Sequence, residues 1–297
     1  MTPLRDFYAL EPALAAIGEG PARPAALRVV TGFIAGARCA RDHAGPDLPL
    51  HLDRLHAAAY EGAGLVTATP ELALDTTRDL ATARALRTHA HDHPTDHPAF
   101  TALLKSRPHH ALLLCIGHGW SRALRDLPPE QAPPPADPQA RWWSVDGHGF
   151  HVGLLRPRHA LTPAAILPRS AADRALFDRG VGRALWYRHA GDVPAIAHMI
   201  GRLGARAPDL WCGVGIAAIF SGGLALLDHA ARRDLLRRGG DPLRLGAAIG
   251  GTSAILHGPD FDLAPLHDLA VDLAATASLP DTADYLEWRR VLAEALA

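Results

Sequence analysis

Ala171-Ala-Asp-Arg-Ala-Leu-Phe-Asp-Arg-Gly-Val-Gly-Arg-Ala-Leu-Trp-Tyr187 decides the fold class. It contains no proline, and Leu176, Phe177, Val181, Leu185 and Trp186 recur at spacings that suit one buried helical face. Downstream, Asp192-Val193-Pro194 predicts a capped helix reaching about Leu203, with Asp192 as N-cap and Pro194 in the first turn. Asp209–Leu227 is apolar almost all round, which predicts a buried central helix or one packed tightly through its glycines, with Asp209 as its cap. Asp262 opens a further helix carrying Leu263, Leu266, Leu269 and Leu273 on one stripe. Asp281 opens the last, with Tyr285, Trp288, Leu292 and Leu296 facing inward. Upstream, Thr69-Pro70-Glu71 reads as the start of a helix to about Thr88. The only strand signals are Leu27–Ile34 and His109–Ile116. The expectation is a mainly α, multi-helical globular protein with at most minor strands. Its helix–turn–helix rhythm after residue 170 is reminiscent of helical-repeat architecture, although no sequence repeat of 20–50 residues stands out.

The 297 residues fit one large domain or two closely packed ones. Residues 1–27, rich in Ala, Pro and Gly, read as an N-terminal arm, and residues 28–127 as a first helical subdomain. The proline-rich stretch 128–139 reads as a linker, because each proline removes a donor and restricts its neighbour. Residues 140–297 form the second helical subdomain, and the whole is expected to make one compact unit.

Thirty basic and 31 acidic residues give a formal charge of −1, which leaves no electrostatic footprint for nucleic acid or an anionic membrane. Arg232-Arg233 and Arg237-Arg238 interleave with Asp228 and Asp234 as a solvated helix face would. Lys105 is the only lysine and sits in a polar loop entry, which disfavours Schiff-base chemistry. Cys39, Cys115 and Cys212 include no CxxC pair, so neither a thiolate zinc site nor a disulfide framework is expected. Asp6, Glu11 and Glu19 interrupt any signal-like start, and the longest apolar runs, Ala111–Ile116 and Val214–Phe220, are too short to span a bilayer. A soluble, cytoplasmic protein is the expectation. No HExxH, GxSxG or DDxxD pattern occurs, which disfavours a zinc protease, an α/β-hydrolase and a metal-dependent terpene cyclase.

Within residues 109–223 four segments combine glycine, aromatic and polar residues: His110–Trp120 with Gly117-His118-Gly119, Asp146-Gly-His148-Gly-Phe150-His151-Val-Gly153, Phe177–Tyr187, and Asp209–Gly223. With Tyr60-Glu61-Gly62-Ala63 before them, they resemble the family of the domain of unknown function 1702, which includes UnbL-like proteins of enediyne biosynthesis clusters. The resemblance runs in consistent order from about residue 28 to 290. It implies a role in bacterial specialised metabolism, beside an iterative polyketide synthase that makes a polyene. The His89–His97 run and the long Pro128–Pro138 segment depart from the family pattern.

Two glycines flank His148, which predicts a tight turn over Asp146–Gly153 where the backbone approaches another group closely. His151, with His148 beside it, is then an acid–base group or metal ligand held by Asp146, or else a buried hydrogen-bond partner. Gly180-Val-Gly182-Arg183 lacks the strand and the remaining glycines of a nucleotide loop; Arg183 reads as an ion-pair partner of Asp178 or Asp209, or as a substrate-anion contact. Trp186, Tyr187, Trp211 and Phe220 suit either a core or an aromatic-edged pocket for an apolar substrate. Tyr60 would join that pocket, and Glu61 is a candidate general acid–base group or a helix cap. His89–His97 holds four histidines and two aspartates among prolines and reads as a surface loop rather than a zinc site. The catalytic candidates are therefore His151, Glu61, Asp146, Arg183 and Asp209; the substrate-contact candidates are Tyr60, His148, Trp186, Tyr187, Trp211 and Phe220. No metal is expected and no cofactor is assigned. The resemblance implies an accessory protein acting on an apolar intermediate in a helical pocket. Three readings stay open: an enzyme, a non-catalytic binding or chaperone-like partner of the synthase or a neighbouring membrane protein, and, remotely, a proton-initiated terpenoid cyclase lacking a DxDD-type acid motif.

Overall fold

The computed structural model describes residues 11–43, 45–69, 98–125, 127–128, 138–162, 168, 170–257 and 285–295. Among these, thirteen α-helices and three short 3-10 turns form, and no strand. In order the helices are α1 Glu11–Ala15, α2 Arg23–Asp42, α3 Leu48–Leu52, α4 Ala59–Thr67, α5 Pro98–Ser106, α6 Ala111–Leu124, α7 Pro138–Leu155, α8 Pro157–Ala160, α9 Ala171–His189, α10 Val193–Gly201, α11 Ala207–Phe220, α12 His229–His257 and α13 Tyr285–Ala295. One of the three 3-10 turns, Gly223–Leu226, follows α11. The mainly α expectation holds.

The two strand candidates are helical. Leu27–Ile34 lies inside α2 and His109–Ile116 spans a 3-10 turn and the start of α6. Both are short apolar runs, for which periodicity alone does not separate buried strand from buried helix. Residues 11–27, expected as an arm, contain α1 and the first turn of α2, with Ala22, Ala25 and Ala26 fully buried. The predicted helix after Thr69, the His89–His97 run and the helix at Asp262 lie outside the described residues. The chain divides into two compact units, residues 1–15 with 29–148, and residues 16–28 with 149–297. The division falls inside α7, between His148 and Gly149, rather than in the proline-rich stretch.

One packing rule recurs in both units. Helices α4, α6, α7, α9 and α11 each carry a Gly-x-Gly pair in mid-helix: Gly62/Gly64, Gly117/Gly119, Gly147/Gly149, Gly180/Gly182 and Gly213/Gly215. In α4, α6, α7 and α11 a side chain on the first glycine would overlap a carbonyl of the preceding helix, and in all five helices a side chain on the second would overlap a carbonyl of the following one. In the first unit, Gly62 meets Phe33, Gly117 meets Glu61 and Gly147 meets Ile116, while Gly36, Gly64 and Gly119 meet Ala59, Leu114 and Ser144 ahead of them. In the second unit, Gly213 meets Arg179 and Gly246 meets Cys212; Gly149, Gly182 and Gly215 meet Phe177, Leu210 and Leu243. The carbonyl gripped from behind is always that of the residue just before the partner's first-glycine position. The carbonyl gripped ahead always lies three residues before it. Each glycine costs about 1 kcal/mol of helix propensity relative to alanine, and backbone-to-backbone helix contact offsets that cost.

Gly147, Gly180, Gly213 and Gly246 stand 33 residues apart, so a repeat does exist after residue 147. It escapes reading from sequence because only the glycine positions recur.

The second unit's helix ends follow local chemistry. Ser170 caps α9 by accepting from the Asp173 amide at 3.0 Å, and Asp192 caps α10 by accepting from Ala195 at 3.0 Å, with proline in the first turn. Ala190 and Gly191, with φ of 45° and 77°, stop α9 in a left-handed turn. α12 breaks at Gly240, whose φ of 53° and ψ of −144° only glycine adopts readily, and resumes at Asp241-Pro242.

Candidate functional site

Asp146–Gly153 is the middle of α7, not a turn. Its glycines serve close helix packing, which the Gly-x-Gly spacing does not distinguish from turn chemistry. On a helix, Asp146 and His151 lie about 140° apart, so the shared face is a different one. Ser144, His148 and His151 stand at i, i+4 and i+7, and all three are buried. His118, from the Gly117-His-Gly119 of α6, reaches this face: its Nδ1 and the Ser144 hydroxyl share a hydrogen bond of 2.8 Å, with both residues buried. The Phe100 ring lies 5.3 Å from the His118 ring. His118 and Ser144 are absent from the sequence-derived site. The one clue was that two helices place histidine at the centre of a Gly-x-Gly pair.

Next to His151, Phe150 belongs to the second unit, as do Arg183 and Tyr187. Arg183 stacks over the Phe150 ring at 4.5 Å, and Tyr187, one turn on from Arg183, packs at 5.4 Å. Arg183 is thus a buried cation over an aromatic face. The partners proposed for it are engaged elsewhere. Asp178 is gripped by Arg206, which donates through Nε at 3.1 Å and Nη2 at 2.6 Å and also holds the Ala160 carbonyl at 2.8 Å. Burial raises the Asp178 carboxyl above its ordinary range, against the lowering effect of Arg206. Asp209 pairs with Arg289 of α13. It sits in the first turn of α11 rather than at the cap, a position held by Arg206.

Trp186 donates to Ser221 Oγ at 3.1 Å and is fully buried; Tyr187, Trp211 and Phe220 are buried too. Glu61 is buried in α4, and its carbonyl is the one gripped by Gly117. Tyr60 donates its hydroxyl to Asp53, which Arg107 clamps with bonds of 3.1 and 2.6 Å, while the His110 ring stacks on the Tyr60 ring at 3.7 Å. Burial, and then Asp53, push the Tyr60 hydroxyl well above its usual ionisation range, and Arg107 holds Asp53 below the ordinary carboxylate value.

A cavity of about 340 Å³ opens among α11, α12 and α13, lined by Pro208, Cys212, Asp241, Pro242, Leu245, Leu286, Arg289 and Arg290. Beside it Arg179 and Tyr285 are both buried, with the guanidinium 5.3 Å from the ring centre. Desolvation pushes the Tyr285 hydroxyl up to about 12, so it remains a proton donor at neutral pH. Among the described residues no three His, Cys, Asp or Glu side chains come together as a metal site, and no helix is long and apolar enough to cross a membrane.

A family model described as protein of unknown function, DUF1702, matches residues 24–250. The chain belongs to this family. The match opens in α2 and closes at Gly250 in α12, so it takes in the glycine-packed helices of each unit and stops short of α13. No curated protein and no solved structure matches the chain.

Proposed function

We propose that this DUF1702 protein is an accessory enzyme of bacterial specialised metabolism that performs acid–base chemistry on an apolar intermediate, of the polyene or enediyne polyketide type. The observation that carries the proposal is buried His151 in the second unit, next to Phe150, over whose ring Arg183 stacks at 4.5 Å. An all-helical core fills such positions with apolar side chains. Ionisable groups held this dry, among helices whose spacing is fixed by backbone contact, are suited to moving protons rather than to adding stability. Imidazole is the one side chain that accepts and returns a proton near neutral pH without a large shift. Arg183 over Phe150, next to His151, is a fixed cation for negative charge developing on substrate. Glu61 and Asp146 are buried carboxyls of the first unit.

The test is product formation in a producing strain that carries His151→Gln or Arg183→Lys in place of the native gene, with the purified variants checked for helicity and melting. The expected result is loss of the mature product with the fold retained. Unchanged product from both folded variants overturns the catalytic reading.

A second reading, a non-catalytic carrier that holds the intermediate or docks it on a polyketide synthase, is favoured by one feature. The cavity beside α13 has no histidine or glutamate in its lining. Retention of ligand by His151→Gln, together with unchanged product, selects this reading.

A further inference from the structure

We propose that the cavity among α11, α12 and α13 binds a small amphipathic monocarboxylate, an apolar body with one carboxylate end seated on Arg289. The inference is independent of the chemistry proposed for α7.

The walls are apolar: Pro208 and Cys212 from α11, Pro242 and Leu245 from α12, and Leu286 from α13. The volume of about 340 Å³ lies in the range of small-molecule sites. The polar groups at the rim are largely accounted for. Asp241 is 90% exposed and bonded to Arg244, and Arg290 is bonded to Glu294. Arg289 is the more enclosed of the two arginines, its side chain 30% exposed against 59% for Arg290, and its polar partner among the described residues is Asp209, reached through Nη1. A guanidinium offers five donors in a rigid fork, so the remaining donors are left to the cavity that Arg289 lines. Asp209 fixes the fork in place, and holding a donor still before the ligand arrives lowers the entropy cost of binding.

The α11 helix begins at Ala207 beside the cavity, and the second half of α12 restarts at Asp241 after the break at Gly240; Asp209 and Asp241 already occupy these two helix N-termini, so the cationic groups that face a ligand are Arg289 and Arg290. The enclosed guanidinium of Arg289 against apolar walls, with Arg290 held by Glu294 at the rim, matches a single carboxylate on a hydrocarbon body. A phosphate dianion would need more donors than the site offers, and a neutral ligand would leave the arginine donors unmatched.

The full chain is titrated calorimetrically with decanoate below its micellar concentration, and with 1-decanol as the neutral match. Saturable binding of decanoate is expected. Arg289→Met should weaken it about tenfold, the loss of a charge-assisted hydrogen bond, while leaving 1-decanol binding unchanged. The double variant Asp209→Asn/Arg289→Met removes the pair without stranding a carboxylate, and should behave alike. Leu245→Trp fills the cavity and should abolish binding of both ligands. Absence of saturable decanoate binding to the native chain overturns the proposal, as does decanoate binding that survives the double variant or Leu245→Trp unchanged.

Discussion

Gly213→Ala tests whether backbone contact holds the second unit together. A Cβ at Gly213 would overlap the Arg179 carbonyl oxygen and come within 2.8 Å of both the Arg179 carbonyl carbon and the Arg183 amide nitrogen. All three are backbone atoms of α9, so no rotamer change relieves the clash, and α11 has to back away from α9. Overpacking of this kind costs about 1–3 kcal/mol, and a clash against rigid backbone belongs at the upper end. The exchange returns about 1 kcal/mol of helix propensity. The net loss is about 2 kcal/mol, a fall of roughly 4–8 °C in melting temperature for a chain of this size. Gly201, in the last turn of α10, is the control, because a Cβ there meets nothing within 4 Å. Gly201→Ala receives the propensity gain without the clash and should be neutral or slightly stabilising. Paired urea titrations followed by far-ultraviolet circular dichroism, with equal m-values, read the difference. Midpoints for the two variants that agree within about 0.5 kcal/mol, the usual scatter for uncoupled surface changes, would refute the packing rule.

Three further predictions rest on separate features. Arg206→Met strands the Asp178 carboxylate, whose side chain is 4% exposed, and should cost about 3–5 kcal/mol at neutral pH. Because burial raises the folded-state value of Asp178, its protonated form is the one favoured by folding; the penalty should shrink as pH falls toward the ordinary carboxyl value of 3.8, as denaturant midpoints across pH 4–7 will show. Asp53→Asn removes an acceptor that keeps the Tyr60 proton in place, so tyrosinate absorbance at 295 nm should develop at lower pH than in the native chain; an unchanged alkaline titration contradicts the arrangement. Gly240→Ala forces a side chain onto a φ of 53° and ψ of −144°, at a cost of roughly 1–3 kcal/mol, measured by thermal melting.

The helical class was legible because a long proline-free run such as Ala171–Tyr187 has room for many turns, although α9 is buried on every side from Ala175 to Tyr187, and because Asp192 with Pro194 marks the start of α10 by its own chemistry. The glycines were misread for a physical reason. A glycine in mid-sequence signals a turn as readily as a close helix contact, and only the carbonyl opposite tells them apart. Gly147 and Gly149 therefore looked like the sides of a loop around His148, when each receives a neighbouring helix. The site suffered likewise. His118 and Ser144 are 26 residues apart and meet only because α6 and α7 pack in one register. Asp209 looked like a cap because it follows Pro208, and its true partner, Arg289, lies 80 residues on in α13. Burial was foreseeable at Arg183 and His151 from their apolar surroundings, whereas the pairing of Asp178 with Arg206 was not.

The regular grip between neighbouring helices has a consequence for how such a chain can change length. In the second unit, Gly149 meets the carbonyl three residues before Gly180, and Gly182 meets the one three residues before Gly213. Excision of one 33-residue step between those positions would bring Leu210 to Gly149 in place of Phe177, with every remaining edge still matched. A one-residue deletion within a helix would instead rotate its glycine away and drive a side chain into its neighbour's backbone. Such a chain accepts change in whole steps and resists it in single residues, as nearest-neighbour arrays do.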